Sequence, residues 1–240
     1  MCIRDRGDPV DGEYELYTTV DGGENWIEVD GSNIPNPLDG EYGYVRQIEV
    51  FEDNVWYTTN KGRIYHSTDK GFNWVVYNTN VTDFAGIRVS FANENDGVYI
   101  DASGAVYRSF NAGASWQQID TQGPIYTTDL SYAPNSNTIF TTGASSAGTG
   151  SSVSFDGGYN WTGIDAGTQH TEVEFIDENT GWSGGFNYSE TQGGIFVWDP
   201  VELSVESLDT NESITFYPNP VSNFLNISYS CLLYTSDAAD

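Results

Sequence analysis

Apolar residues along this chain come in short runs of three to five, rich in aromatic and β-branched side chains and separated by Gly, Asn, Asp and Pro. Runs of that length, often alternating, read as strands and not as helices. They recur in sets of four. The first of each set is IEVF (48–51), VSF (89–91), LSY (130–132) and VEF (173–175), each followed by a polar turn, EDN, ANEND, APNSN or IDEN. The second is VWYTT, VYID, IFTTG and GWSGG, and the third is RIYHS, AVYRS, SSVS and GIFVW. A fourth, WVVYN, WQQID or WTGID, closes three of the sets.

Between the third and fourth runs lies a recurring motif, Ser/Thr-x-Asp-x-Gly-x-x-Trp. Its copies are Thr19, Asp21, Gly23, Trp26; Ser67, Asp69, Gly71, Trp74; Ser109, Asn111, Gly113, Trp116; and Ser154, Asp156, Gly158, Trp161. The tryptophans step by 48, 42 and 45 residues. Four short antiparallel strands at that pitch predict the blade of an all-β propeller, here three complete blades and two partial ones, the first with only its third and fourth strands, ELYTT and WIEVD, and the last with three strands and no box. The motif then occupies the hairpin between the third and fourth strands. There Asp21, Asp69 and Asp156 can accept from backbone N–H groups a residue or two on, and Asn111 keeps a side-chain acceptor. The glycine can take positive φ, and the tryptophan returns as a buried anchor whose indole N–H needs a partner. A residue set repeated once per blade is scaffold, because sites are local exceptions to a repeat.

This motif closely resembles the Asp-box, or bacterial neuraminidase repeat, of sialidases, some endoglucanases, sortilin-like receptors and photosystem-assembly propellers. The resemblance implies that the boxes lie on the face away from any active site. Ligand contacts are then expected in the loops of the other face, residues 30–44, 78–86, 120–125 and 165–170, and in a long Gly/Ser loop at 143–152. Tyr42 and Tyr44 beside Glu41 suit sugar stacking, and His170 lies in one of these loops. His66, whose counterparts in the other copies are Thr18, Arg108 and Val153, reads as an exposed strand residue. No residue set points to a metal or a cofactor, and no HExxH occurs.

The two ends fit nothing in the repeat. MCIRDR (1–6) and CLLYTSDAAD (231–240) look like translated sequencing adapters, and both cysteines, Cys2 and Cys231, fall in them. No disulfide framework is therefore expected. Residues 7–199 are the propeller region, and 200–213 read as an acidic linker. Residues 214–230, ITFYPNPVSNFLNISYS, begin a small β module around a Pro-Asn-Pro turn. From Leu203 or Ser204 onward, so that 200–213 hold both linker and start of the sorting region, the chain closely resembles the start of the type A C-terminal sorting domain of the type IX secretion system of Bacteroidota, most specifically at Tyr217, Pro218, Asn219, Pro220 and Val221 followed by Leu225, Asn226 and Ile227. The resemblance implies type IX machinery as a partner and an extracellular or outer-surface location.

A net charge of -27 disfavours nucleic acid and anionic lipid as partners. No apolar run approaches the length of a membrane-spanning helix. After Arg108 the chain has no Lys or Arg, so the arginine cluster that a sialidase resemblance implies has few candidates. The expected function is a secreted or surface propeller that binds a glycan or protein, or displays a scaffold. The alternative is part of a hydrolase of neutral polysaccharide, which needs only carboxylates. A photosystem-assembly role, which the repeats also resemble, is weighed down by the sorting segment.

Overall fold

A computed structural model of the chain describes residues 3–4, 9–79, 81, 88–145, 148–187, 189 and 193–199, and strands at 215–217 and 226–228. Of residues 3–4, 45–46, 215–217 and 226–228 it describes the backbone only. Two compact units divide at 199/200. The first is a β-propeller region of five small antiparallel sheets, three of four strands and two of three.

Blade 1 comprises β1 (Ile3–Arg4), β2 (Tyr17–Thr18) and β3 (Ile27–Glu28). Blade 2 is β4 (Gly43–Phe51), β5 (Asn54–Thr59), β6 (Arg63–Ser67) and β7 (Val75–Asn78). Blade 3 is β8 (Arg88–Phe91), β9 (Gly97–Ile100), β10 (Val106–Ser109) and β11 (Gln117–Ile119). Blade 4 is β12 (Asp129–Tyr132), β13 (Ile139–Ser145), β14 (Gly148–Ser154) and β15 (Thr162–Ala166). Blade 5 is β16 (Glu172–Asp177), β17 (Thr180–Gly184) and β18 (Ile195–Val197). The strands pair in chain order within each blade, and β4, β8, β12 and β16 touch one another in succession. These four are therefore the innermost strands.

Because each blade is covered on both faces, the period-two alternation of a middle strand points into two different cores. In β5, Val55 and Tyr57 join Leu16, Val29 and Trp74 between blades 1 and 2, while Trp56 joins Phe91, Tyr99 and Trp116 between blades 2 and 3. The same contact recurs two blades on. Trp56 stacks on Phe91 at 3.9 Å between centroids, and Phe140 stacks on Phe175 at 3.7 Å. Burying each such ring contributes roughly 1.5–3 kcal/mol relative to leaving it in water. The fourth strands β7, β11 and β15 are the exposed outer edge.

Three expectations need correction. His66 is not exposed: it is 4% accessible, stacks on Trp56 at 4.7 Å and meets Asn54 Oδ1 through Nε2 at 3.0 Å. Thr18, Arg108 and Val153 are buried too, since the third strand is sandwiched on both faces. Residues 143–152 are not a long loop, because β13 and β14 run through them with only 146–147 between. Their glycines mark close packing and not a turn: a Cβ at Gly143 would stand 2.6 Å from the Tyr126 ring, and one at Gly150 2.3 Å from its hydroxyl. Finally, blade 1 has three strands and not two, since the backbone of Ile3–Arg4 pairs with Tyr17–Thr18. A two-stranded ribbon is marginal alone, so its edge accepts an adjacent extended segment.

In the second unit the described residues form an antiparallel strand pair, β19 (Thr215–Tyr217) and β20 (Asn226–Ser228), with Phe216 opposite Ile227. Tyr217 ends β19; Pro218, Asn219, Pro220 and Val221 lie outside the described residues.

Candidate functional site

Each Asp-box is a closed hydrogen-bond system. The hydroxyl of its first residue accepts the glycine N–H, at 3.0 Å for Thr19 to Gly23, 2.8 Å for Ser67 to Gly71, and 2.9 Å for both Ser109 to Gly113 and Ser154 to Gly158. It donates in turn to the carboxylate or amide two residues on. The aspartates accept from farther along the chain than the one or two residues expected. Asp69 Oδ1 takes the N–H groups of Phe72 and Asn73, and Asp156 Oδ1 those of Tyr159 and Asn160. Partial desolvation opposes ionisation of Asp69 and Asp156, but these bonds outweigh it and hold both below the usual carboxylate range. The bonds from Asn25 lower exposed Asp21 to about 2. Trp74 and Trp161 donate their indole N–H to the box glycine carbonyl at 2.8 Å, so each anchor closes its own hairpin.

One participant escaped sequence reasoning. Asn25, Asn73 and Asn160 donate Nδ2 to the second aspartate oxygen at 2.6, 2.6 and 2.7 Å. The signal was the Asn preceding Trp in three copies. In the remaining copy, the third along the chain, Asn111 stands in place of the aspartate and Ser115 in place of the asparagine, and Asn111 Nδ2 donates to Ser115 Oγ at 2.9 Å. The serine hydroxyl accepts where the asparagine amide donates in the other copies, so the contact is kept with its direction reversed.

The boxes also fasten blade to blade. The residue before each glycine has positive φ (Lys70 65°, Ala112 60°, Gly157 78°), which turns its carbonyl toward the preceding blade. Lys70 O accepts from Thr18 Oγ1 at 2.6 Å, Ala112 O from Trp56 Nε1 at 3.0 Å, and Gly157 O from Arg108 Nη1. The N–H of the same residues reaches the first turn of its own blade, at Asp53, Asn95 and Asn137. Boxes and first turns therefore share one end of the propeller, and the remaining loops share the other.

At that other end the four candidates separate. Glu41 is 2% accessible: it accepts from Arg63, Thr59 Oγ1 and Leu38 N, a buried ion pair that fixes the 30–42 loop. Tyr42 is exposed and meets half-buried Tyr44 edge to face at 5.7 Å, beside a groove of about 430 Å³ lined by Pro9, Pro37, Leu38 and Glu41. His170 is elsewhere, buried between blades 4 and 5, with Nε2 2.9 Å from Asp165 Oδ2 and Nδ1 2.8 Å from Ser183 Oγ. The structure thus brings Glu41, Tyr42 and Tyr44 together and leaves His170 apart.

A second carboxylate set faces the axis. Glu49 Oε1 on β4 accepts from Ser90 Oγ at 2.9 Å and Phe91 N at 3.0 Å, both on β8. Ser90 Oγ accepts from Tyr132 N at 3.0 Å and Ser131 Oγ from Phe175 N at 3.1 Å, so two hydroxyls do in later blades what Glu49 does here. Asp129 Oδ2 accepts from Val173 N at 2.9 Å, with Arg88 Nε 3.9 Å from Oδ1. Desolvation pushes Glu49 up to about 8 and Asp129 up to about 7. With Glu172 and Glu174 they line an axial groove of about 300 Å³.

Repeated Asp-boxes latching antiparallel blades around an axis define an Asp-box β-propeller. Residues 10–147 match the model of the photosynthesis system II assembly factor YCF48 family, and the chain belongs to that family. None of the curated proteins matches it. Among solved structures it is similar to one described as YCF48 bound to D1 peptide (18% identity, TM-score 0.56, 81% of this chain and 59% of that one). It is also similar to YCF48 from Cyanidioschyzon merolae (15%, 0.49, 95% and 70%) and to the GH74 enzyme of Niastella koreensis (18%, 0.53, 77% and 27%). The chain spans about 59% of the length of the first of these.

Proposed function

We infer that this is a binding and scaffold propeller, exported through the type IX system and held outside the cell, whose partner is a protein segment. One observation carries the reading: the box end has its polar groups tied up in hairpin closure and blade latching, while the opposite end opens into the groove beside Tyr42. Loops on a rigid scaffold are where binding is built. The D1 peptide in the similar YCF48 structure supports a protein partner. The sequence pattern around Pro218, Asn219 and Pro220 supports export.

The axial carboxyls do not favour hydrolysis. Glu49 repeats the latch that Ser90 and Ser131 supply, so its raised carboxyl serves architecture. The test is to express the full-length gene product, confirm its release into the medium, and assay it against surface proteins and neutral polysaccharides. Retention of a protein, lost on Tyr42→Ala, supports the reading. Sugar release abolished by one carboxylate substitution replaces it with the hydrolase.

A further inference from the structure

At one layer of each blade, the side chains that face the following blade can be matched by register. Blade 2 has Thr58, Ile64 and Tyr77 there, blade 3 has Ile100, Val106 and Ile119, and blade 4 has Thr142, Ser151 and Asp165. Of these three sets only the last is wholly polar. Blade 5 meets it with Ser183, at the place held by Tyr57, Tyr99 and Thr141 in blades 2 to 4. His170, from the connection between β15 and β16, is buried between the two blades. A departure confined to one junction of a repeat is where a site is expected.

Ser183 is the centre of Gly181-Trp182-Ser183-Gly184-Gly185, a G-x-S-x-G sequence of the kind that presents a nucleophilic serine. Here the motif lies along β17 and not on a strand-to-helix turn, and its outer glycines serve close packing. A Cβ at Gly181 would stand 2.4 Å from the Phe175 ring, and one at Gly185 2.4 Å from the carbonyl oxygen of Gln169, next to His170. The imidazole reaches both partners, with Nδ1 2.8 Å from Ser183 Oγ and Nε2 2.9 Å from Asp165 Oδ2. Burial works against ionisation of Asp165, but the bonds from His170 and Ser151 outweigh it and hold its carboxyl below the usual range. An ionised carboxylate only accepts, so Nε2 carries the ring proton and the lone pair of Nδ1 is left to take the Ser183 hydroxyl.

We propose that Ser183, His170 and Asp165 form a hydrolytic site for small carboxylic esters, with Ser183 as nucleophile, His170 as general base and Asp165 as the positioning residue. Such a set is recognised by geometry and roles, not by chain order. Ser183 Oγ bonds to the ester carbonyl carbon as its proton passes to Nδ1, and the alcohol leaves with that proton. Water then attacks the acyl-serine and gives its proton to Nδ1, and the acid departs as that proton returns to Ser183 Oγ. The hydroxyl of Thr142, a residue 1% accessible, lines the same pocket without a hydrogen-bond partner among the described residues and is a donor for the oxyanion. That pocket holds about 190 Å³ between Phe140, Phe175 and Phe196. A cavity of about 150 Å³ accepts benzene, so acyl groups from acetyl to benzoyl fit. The net charge of -27 favours neutral or cationic esters over anionic ones.

The experiment uses the full chain, a fluorophosphonate probe whose attachment point is located by mass spectrometry, and p-nitrophenyl acetate as substrate. Expected are a label at Ser183, a burst of nitrophenolate, and loss of both in Ser183→Ala with an unchanged thermal transition. His170→Gln lowers the labelling rate about 100-fold. Asp165→Asn lowers kcat at least about tenfold with KM unchanged, a split that a purely structural role would not give. The wild-type label needs no variant, so misfolding of a substituted junction cannot decide the question. No label at Ser183, or ester hydrolysis that survives Ser183→Ala, overturns the proposal and leaves the cluster as a polar joint between blades. The outcome of the Tyr42→Ala retention assay bears on the proposed function alone.

Discussion

The box end and the axis of this propeller use the same side-chain chemistry to opposite electrostatic effect. At the box end, Asp21, Asp69 and Asp156 sit near water, collect bonds from hydroxyl, amide and backbone donors of their own hairpin, and are held below the ordinary range. At the axis, Glu49 and Asp129 accept from the next blade in a place where desolvation dominates, and are pushed up to about 8 and 7. A local closed ring stabilises charge; a cross-blade acceptor needs only an oxygen, which is why Ser90 and Ser131 can replace Glu49. The comparison separates residues that make a blade from residues that join blades.

The sharpest way to break that division is to remove an anchor from the box. Trp74→Ala empties a 6% accessible site and leaves the Gly71 carbonyl without its indole donor. A loss of about 3–5 kcal/mol is expected in urea unfolding, as for other buried aromatic truncations. A loss under about 1 kcal/mol would show that the site collapses without cost and that the box does not hold the hairpin.

Next in size is the pH response. Glu49 has a folded pKa above its unfolded value of 4.5, so the stability it contributes is complete below pH 4.5 and is lost as pH rises toward about 8. Glu174 and Asp129 add to the rise, and the Phe91 N–H and Ser90 hydroxyl oppose it. Box aspartates run the other way: their contribution is present above pH 3.8 and lost as pH falls through their lowered values. Buried His66, lowered to about 4 by desolvation, likewise loses stability for the fold as pH drops from 6.5. A difference measurement isolates the axis. Wild type minus Glu49→Gln is expected to decline by roughly 2 kcal/mol between pH 4.5 and 8, less than the full linkage value because the residue keeps some contact with solvent, which screens its charge. A pH-independent difference would collapse the contrast between the two regions.

Much of this was legible in sequence, for a physical reason. The strands and the hairpin position of the box follow from short apolar runs and from a turn whose glycine, hydroxyl and carboxylate each answer a local need. What failed was whatever depended on the neighbouring blade. His66 looked exposed because one strand cannot reveal that both its faces are covered. Residues 143–152 looked like a loop because small residues lack an apolar period, although Tyr126 requires them small. Glu49 was one acid among many until its β8 partners appeared, and the candidate Glu41 proved to be half of a buried pair with Arg63.

Smaller again is the hydroxyl that starts each ring. Ser67→Ala leaves the buried Gly71 N–H without its acceptor and removes one donor from Asp69. The expected cost is about 1–2 kcal/mol, with the acid limb of the stability profile beginning at higher pH because Asp69 loses part of what lowers it. Unchanged acid sensitivity would mean that the backbone N–H groups of Phe72 and Asn73 suffice to hold the carboxylate.

The least effect should be a gain. Two boxes place Gly before the repeated glycine, Gly22–Gly23 and Gly157–Gly158, whereas the others place Lys70 and Ala112 there at φ of 65° and 60°. A Cβ in that region is strained, and at Ala112 the backbone does the joining: its N–H goes to Asn95 O and its carbonyl takes Trp56 Nε1. Ala112→Gly keeps both bonds and relieves the strain, while the unfolded chain gains entropy that offsets part of the benefit. A net stabilisation of about 0.5–1 kcal/mol is expected in urea, with m unchanged. Glycine at Gly157 has a further cause, since a Cβ there would stand 2.2 Å from Arg108 Nη1. Gly157→Ala should therefore be destabilising where Ala112→Gly is stabilising. Backbone strain alone predicts shifts of equal size and opposite sign, so a Gly157→Ala loss no larger than the Ala112→Gly gain would mean that the preceding blade's donor has no part in choosing its residue.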